Sequence, residues 1–475
     1  MYDHATDDIK MYLKFVTSHD IKYINRHSYY QLPSSWPIDG FRHEARMIGM
    51  DGASMGPDPS GAMTGKGSEK NRGAAGEGGV PQKGLEALQS ELSRAGDNVQ
   101  RARIKRDIGN FLSSQGKLRE ARTALEEAVE MMKAGKVEPD DLIMGLVDLA
   151  KVTWRIGELD KGEELAKEAL DLITPSGVKG TTKGYASWIY GTVRQIKGDN
   201  EEATTYLDRA LALFESARHP EGIALVCHNI ANMYMQRSQF GKALAYYNRS
   251  VKINEELGKR FDVMGSMVNM AISKREQGLY FDALKIFKTT LDYFSGGKDV
   301  RVIAIITTNV GHTYLNMRRW DDALSKYDES SVICEGMGER WIESYNTFAR
   351  SEAFLGKGEI HKADENMMLN FKALVGCGSE EIKGRTLRVR AMISREKGDL
   401  AAAEKDFALA EKTLKAANFD TYLALLYVDW AKSALLEKNR ARAKDLFNKA
   451  RDIYVGLKLP LLERGLNNTM KQYGL

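Results

Sequence analysis

The sequence predicts an all-α solenoid, and three observations carry that expectation. Short pieces beginning at Gly116, Gly157, Gly198, Ser238, Gly278, Arg318, Gly358, Gly398 and Lys438 follow one another at intervals of 41, 41 and then 40 residues throughout. Each piece closes five positions later on a small residue: Ala121, Gly162, Ala203, Ala243, Ala283, Ala323, Ala363, Ala403, Ala443. Twelve residues before each closing position sits a second small residue, from Gly109 and Ala150 through Gly191, Ala231, Ala271, Gly311, Ser351 and Ala391 to Ala431. A register held over nine units is the signature of a repeat architecture.

The chain begins with an aromatic-rich, charge-balanced leader over residues 1–50 that shows no sustained helical period. Residues 51–84 carry ten glycines and three prolines in 34 positions. Such a stretch cannot recover its ordering entropy by burial and is expected to be a disordered linker. Within it, the run Ser60 to Gly67 looks like a phosphate-binding loop. It fails because Ser60 replaces the first glycine, Gly67 replaces the Ser/Thr, and no strand precedes it.

The solenoid is expected over residues 85–475. Leu85, Leu88 and Leu92 mark a short capping helix before the first unit, and Leu461, Leu462 and Leu466 mark another after Pro460. Proline suits the first turn of a helix, and the ends of a solenoid need covering. Between them each unit reads as a helical hairpin. Apolar residues at three- and four-residue spacing, as in Ile230, Ala231, Tyr234 and again Ala243, Leu244, Tyr247, define helix faces. The glycine closes the first helix where a left-handed backbone is needed. Four residues after the closing position stands a larger group (Leu125, Leu207, Tyr247, Phe287, Tyr327, Met367, Phe407, Phe447), with Ala166 the exception. Small residues let two helices approach, and the larger side chain fills the space beside them. Asn200 and Arg440 replace the turn's apolar residue and Gly162 replaces its alanine, so looser packing is expected in units two, three and nine.

The small residue, the tyrosine-like position, the Gly-x-aromatic-x-x-Ala turn and the later small residue resemble the tetratricopeptide repeat. The resemblance covers roughly residues 101–457, about three quarters of the chain. The unit exceeds the family's usual length of about 34 residues; similar long units occur in kinesin light chains, Pins-type polarity adaptors and Rap-type peptide sensors. The resemblance implies a right-handed superhelix of nine hairpins that holds a protein or an extended peptide in its concave groove.

On the first helix of each unit, the position fourteen before the closing residue points away from the buried small one, because each step turns about 100°. It reads Asn229, Asn269 and Asn309 in three consecutive units. Asn232, Gln236, Arg275, His312 and Asn316 stand beside them. In proteins of the resembling family, such asparagines bind the main chain of an extended peptide, because one amide both donates and accepts. Two other readings remain: the asparagines bond to one another between units as a structural ladder, or they were simply copied with the repeat.

Cations on the same face are Arg103, Arg106, Lys151, Arg155, Arg275, Arg385, Arg388, Arg395 and Lys432, among Asp107, Asp148, Glu276, Glu352, Glu396 and Asp429. They suit an acidic peptide or a terminal carboxylate, or else form salt bridges. Trp154, Trp188, Tyr185, Tyr345 and Phe348 are packing residues or apolar anchors for a partner.

Several function classes fall away. The 69 Lys and Arg against 65 Asp and Glu leave a net charge of +4, no footprint for nucleic acid. No run of about 18 apolar residues is present for a membrane span. The three cysteines show no CxxC spacing and fit a reducing cytoplasm. The histidines form no HxxxH or HExxH pattern, and His228 and His312 fall two units apart, so neither a metal nor a cofactor is expected. No catalytic constellation stands out. The expectation is a cytoplasmic, non-catalytic scaffold or adaptor for a protein or peptide partner. Its alternative is a sensor whose solenoid changes shape on binding a signalling peptide.

Overall fold

A computed structural model describes residues 84–475 except 136, 174–176, 298, 338–339 and 376–378. The leader, the linker up to residue 83, the segment 60–67 and Cys377 lie outside the described residues. Twenty α-helices and no strand are found among the described residues. The first, α1 (Leu85–Arg94), and the last, α20 (Pro460–Gln472), bracket nine hairpins. These are α2 (Asn98–Ser114) with α3 (Leu118–Ala134), α4 (Pro139–Ile156) with α5 (Leu159–Asp171), and α6 (Gly180–Lys197) with α7 (Asn200–Ser216). Next come α8 (Pro220–Gln236) with α9 (Phe240–Glu256), α10 (Arg260–Glu276) with α11 (Tyr280–Gly297), and α12 (Val300–Asn316) with α13 (Trp320–Met337). The last three are α14 (Arg340–Gly356) with α15 (Ile360–Val375), α16 (Glu380–Glu396) with α17 (Leu400–Ala416), and α18 (Asp420–Leu436) with α19 (Arg440–Gly456).

Local signals set these ends. At the head of every predicted turn the backbone is left-handed, with φ from 54° at Ser238 to 109° at Gly157. Six of the nine are glycine; Ser238, Arg318 and Lys438 adopt the same conformation with a side chain, at a cost of roughly 1 kcal/mol each. First-turn amides are satisfied by side chains where the sequence supplies them. Asp97 accepts from the Gln100 N–H at 2.7 Å, and Asp399 from that of Ala402 at 3.0 Å. Pro139, Pro220 and Pro460 occupy first-turn positions that need no donor.

The small residues do what their spacing requires. All eight closing alanines are fully buried. A Cβ added at Gly109 would stand 2.5 Å from Leu125 Cγ, and one at Gly311 would stand 2.6 Å from Tyr327 Cε1. The large residue of the second helix thus lies directly over the small residue of the first. At the three turns that depart from the pattern, other contacts are made. Trp154 closes on Gly162 so tightly that an added Cβ would meet its Cβ at 3.2 Å. The Asn200 carbonyl accepts from Arg237 at 2.7 Å, and Arg440 donates to the carbonyls of Tyr473 and Gly474 at 3.0 and 2.9 Å.

Both caps cover an apolar end. Leu88 of α1 is buried in the first of two main apolar cores, and Leu466 and Met470 of α20 in the second. The two cores meet in the fourth hairpin, where Tyr234 and Tyr246 stack at 5.6 Å and pack on both.

The stack also closes on itself. Ser238, in the α8–α9 turn, and Thr421, in the first turn of α18, share a hydroxyl hydrogen bond of 3.1 Å. One turn further along, Leu461 and Leu462 of α20 lie over Gly278, 3.4 and 3.5 Å from where its Cβ would be. Both contacts join elements five units apart. A solenoid that packed only neighbour on neighbour would have neither.

Candidate functional site

The concave face is built from the first helices, which stack on one another from unit to unit. Its amides form rungs between successive helices. Asn229 Nδ2 of α8 donates to Thr192 Oγ1 of α6 at 3.4 Å, and Gln195 Nε2 donates to Gln236 Oε1 at 3.3 Å. Asn269 Nδ2 of α10 donates to Asn232 Oδ1 of α8 at 3.2 Å, and the same oxygen accepts from the Tyr247 hydroxyl at 2.5 Å. Arg275 Nη1 donates to Asn309 Oδ1 at 2.7 Å, while Asn309 Nδ2 donates to the Ile305 carbonyl at 2.8 Å.

The eight sequence-predicted site residues therefore differ in access. Asn316 is exposed and Asn229 and Gln236 are half-buried, whereas Asn269 and Asn309 have no exposed surface at all. Asn232, Arg275 and His312 are buried with them. In this conformation a peptide backbone reaches the two central asparagines only by replacing the rungs they make.

Around them lies a buried polar core. Arg275 also donates twice to Glu276 Oε1, at 3.1 and 2.5 Å. His312 Nδ1 sits 2.7 Å from the Tyr327 hydroxyl. Burial holds the His312 imidazole well below the ordinary histidine range, and the charges of Arg385 and Arg275 push the same way. Arg385 donates to Glu381 at 3.1 Å and lies over the rings of Phe348 and Tyr422, 4.5 and 4.3 Å from their centroids. Arg388 bridges Asp429 and Glu352 at 2.6 and 2.5 Å. Burial alone would raise the Asp429 carboxyl, but Lys432, Arg388 and Arg395 outweigh it and bring it to about 2.

Toward the other end, Arg103 pairs with Asp141 and Arg106 with Asp148, each at 2.6 Å. Seven of the nine cations expected on this face thus rest against carboxylates; Lys151 and Arg155 do not. Of the five aromatic candidates, Trp188, Tyr345 and Phe348 are buried packing residues, while Trp154 and Tyr185 are half-buried.

Sequence reasoning missed the seam. Its period describes neighbours, and nothing in it couples Ser238 to Thr421. The signal that pointed toward it was the pair of apolar residues at the start of the terminal helix. Among the described residues, no three His, Cys, Asp or Glu side chains lie together as metal ligands, and no helix is long and apolar enough to cross a membrane. Cys227 and Cys334 are buried free thiols.

Family models of the tetratricopeptide repeat match residues 101–134 and 184–256. A kinesin light chain-related protein of Arabidopsis thaliana is 23% identical over 272 residues, which is 51% of this chain. The match spans only 41% of that relative's length. Among solved structures, a Rap protein complexed with competence and sporulation factor superposes with a TM-score of 0.61 at 15% identity, covering 76% of this chain and 99% of that one. The apo form of the quorum sensor NprR from B. thuringiensis superposes with a TM-score of 0.57 at 14% identity, covering 75% and 99%. These likenesses are of fold.

Proposed function

We propose, on the premise that this chain is built from tetratricopeptide repeats stacked as an α-solenoid, that it is a non-catalytic peptide sensor. An extended peptide lies along the first helices, and the superhelix changes its closure as the peptide binds. One observation carries this reading: the stack touches itself across units five apart, by Ser238 on Thr421 and by α20 over Gly278. A groove that binds a chain must release part of that closure or rebuild it, so occupancy and shape are linked. The likeness in fold to a Rap protein holding a peptide factor and to a quorum sensor supports the same reading.

The residues assigned to the peptide are Asn229, Asn232, Gln236, Asn269, Arg275, Asn309, His312 and Asn316. Asn229, Gln236 and Asn316 are available in the closed form; the others join once the rungs open. The net charge of +4 fits a protein or peptide ligand rather than nucleic acid, and the buried free thiols fit the cytoplasm.

A rigid scaffold is the second reading, favoured by the continuous apolar cores. Small-angle scattering separates the two. Titrating a hexapeptide library selected for binding should change the radius of gyration of a sensor and leave that of a scaffold unaltered. Asn229→Ala and Asn316→Ala together should weaken binding at unchanged melting temperature. Binding indifferent to both substitutions would remove the amide face from the site.

A further inference from the structure

On the second helix of each unit, the fifth and sixth residues after the closing position lie on the outer wall. Seven of the nine units fill this pair with polar or charged residues, as in Asp328-Glu329 and Asn448-Lys449. The seventh and eighth units carry Met368-Leu369 and Ala408-Leu409 instead. Met368 and Leu369 are 74% and 79% exposed, and Leu409 is 42% exposed. Aliphatic side chains in water, at a register that the rest of the solenoid keeps polar, mark an interaction surface.

These residues flank a furrow between α15 and α17. Its floor is Arg390 of α16, whose guanidinium lies 3.8 Å from the centroid of the Phe371 ring and whose Nε donates to Asp406 at 2.6 Å. Met368 precedes Phe371 by three residues and Leu409 follows Asp406 by three, so the two stand on opposite banks of that floor. Charge on the two helices is lopsided. Lys362, Lys372, Lys405, Lys412 and Lys415 are exposed, against Glu365 as the one exposed carboxylate. Lys362 and Lys415 pair with Glu359 and Glu411. Among the described residues no carboxylate pairs with Lys372, Lys405 or Lys412. On the adjoining α13 the sign reverses, and Asp321, Asp322, Asp328, Glu329 and Glu335 are all exposed.

We propose that the α15–α17 furrow docks an amphipathic helix of a partner protein whose apolar stripe is flanked by carboxylates. Two neighbouring helices offer the groove into which a third packs, with Met368 and Leu409 against its stripe. The lysines favour acidic flanks, and the carboxylates of α13 turn the same helix away from the furrow on their own side. That border also disfavours a lipid surface, because an anionic bilayer resting on α15 and α17 would meet the carboxylates of α13. A second copy fits poorly too. Its own acidic face on α13 exposes only Val332 as a large apolar residue. The furrow lies on the outer wall, so this inference stands apart from the peptide reading of the concave face.

The experiment uses the full chain and two fluorescein-labelled helical peptides of about 18 residues, or five turns, read by fluorescence anisotropy. Both carry the same leucine stripe, flanked by glutamates in one and by lysines in the other. The glutamate peptide should bind and the lysine peptide should not. Met368→Asp with Leu409→Asp should weaken the glutamate peptide at least about 10-fold at an unchanged melting temperature, since both side chains are exposed. Lys405→Glu with Lys412→Glu should reverse the preference between the two peptides. Asn229→Ala with Asn316→Ala should leave this binding alone; a loss there puts the probe on the concave face and overturns the proposal. It is also overturned if neither peptide binds, if both bind equally, or if the aspartate pair leaves binding undiminished. Three further results assign the furrow to another occupant and overturn it equally. A parent that sediments as a dimer, with the aspartate pair a monomer, assigns it to a second copy. Phosphatidylserine vesicles that float the parent but not the aspartate pair assign it to a membrane. Binding of the glutamate peptide only after Tyr12→Asp with Leu13→Asp assigns it to the chain's own leader.

Discussion

The hydroxyls of Ser238 and Thr421 meet at 3.1 Å although 183 residues separate them along the chain. Repeat packing joins each unit only to the next, so this bond reports on the winding of the whole stack. It places the turn of the fourth hairpin against the first helix of the ninth.

The seam can be opened at its apolar end. Leu462→Asp puts a carboxylate where Leu462 packs near Gly278, at a cost of about 2 kcal/mol or more. The radius of gyration should rise in small-angle scattering while far-UV circular dichroism stays within a few per cent of the parent. An unaltered scattering curve would mean that α20 does not hold the seam. Thr421→Val, which removes one hydroxyl bond, should cost only about 1 kcal/mol.

The rungs are unequal, and urea denaturation will rank them. Asn309→Ala removes the acceptor of the buried Arg275 Nη1 and should lower stability by about 2–3 kcal/mol. Asn229→Ala removes a 3.4 Å bond at a half-buried position and should cost less than about 0.5 kcal/mol. Equal losses from the two would contradict the ladder geometry.

Glycine-to-alanine changes have opposite signs at two helical positions. At Gly222 the new Cβ would lie 2.4 Å from Phe214 Cδ1, an overpacking that costs about 1–3 kcal/mol. At Gly265 nothing stands within 4 Å, and the gain in helix propensity should stabilise by about 0.5–1 kcal/mol. Thermal melts of the two variants check both signs.

Two buried groups make stability depend on pH in opposite senses. His312 titrates well below its ordinary 6.5 in the folded protein, so below that pH the unfolded chain takes a proton that the folded one refuses. Its contribution is intact above pH 6.5 and is lost as the pH falls. Asp262 is raised from 3.8 to about 7, so the folded protein keeps a proton that the unfolded chain releases. Its contribution is intact below about pH 4 and is lost as the pH rises through 7. Relative to the parent, His312→Gln should gain stability from pH 7 down to 5, and Asp262→Asn should gain from pH 4 up to 8. Urea midpoints at each pH measure both differences.

Much of the architecture was legible in advance because it is local. The left-handed turn residues, the buried alanines and the large side chain above each small one follow from a spacing of 40 and from helical geometry. The asparagines were legible as a series, but their partners were not. A residue two places from the buried small one turns away from its own hairpin, yet it meets the first helix of the neighbouring unit. Asn269 consequently lies against Asn232 rather than in open solvent.

The amino-acid sequence by itself determined the number of hairpins, their boundaries and the small-on-large packing within each, since all of these depend on residues fewer than about forty apart. Tertiary structure alone decided how far the stack winds. Winding accumulates small rotations over many units, and only at the end of that sum does Thr421 reach Ser238 and α20 reach Gly278. The same sum set which groove residues are sealed, because exposure at a site is not a property of its own repeat.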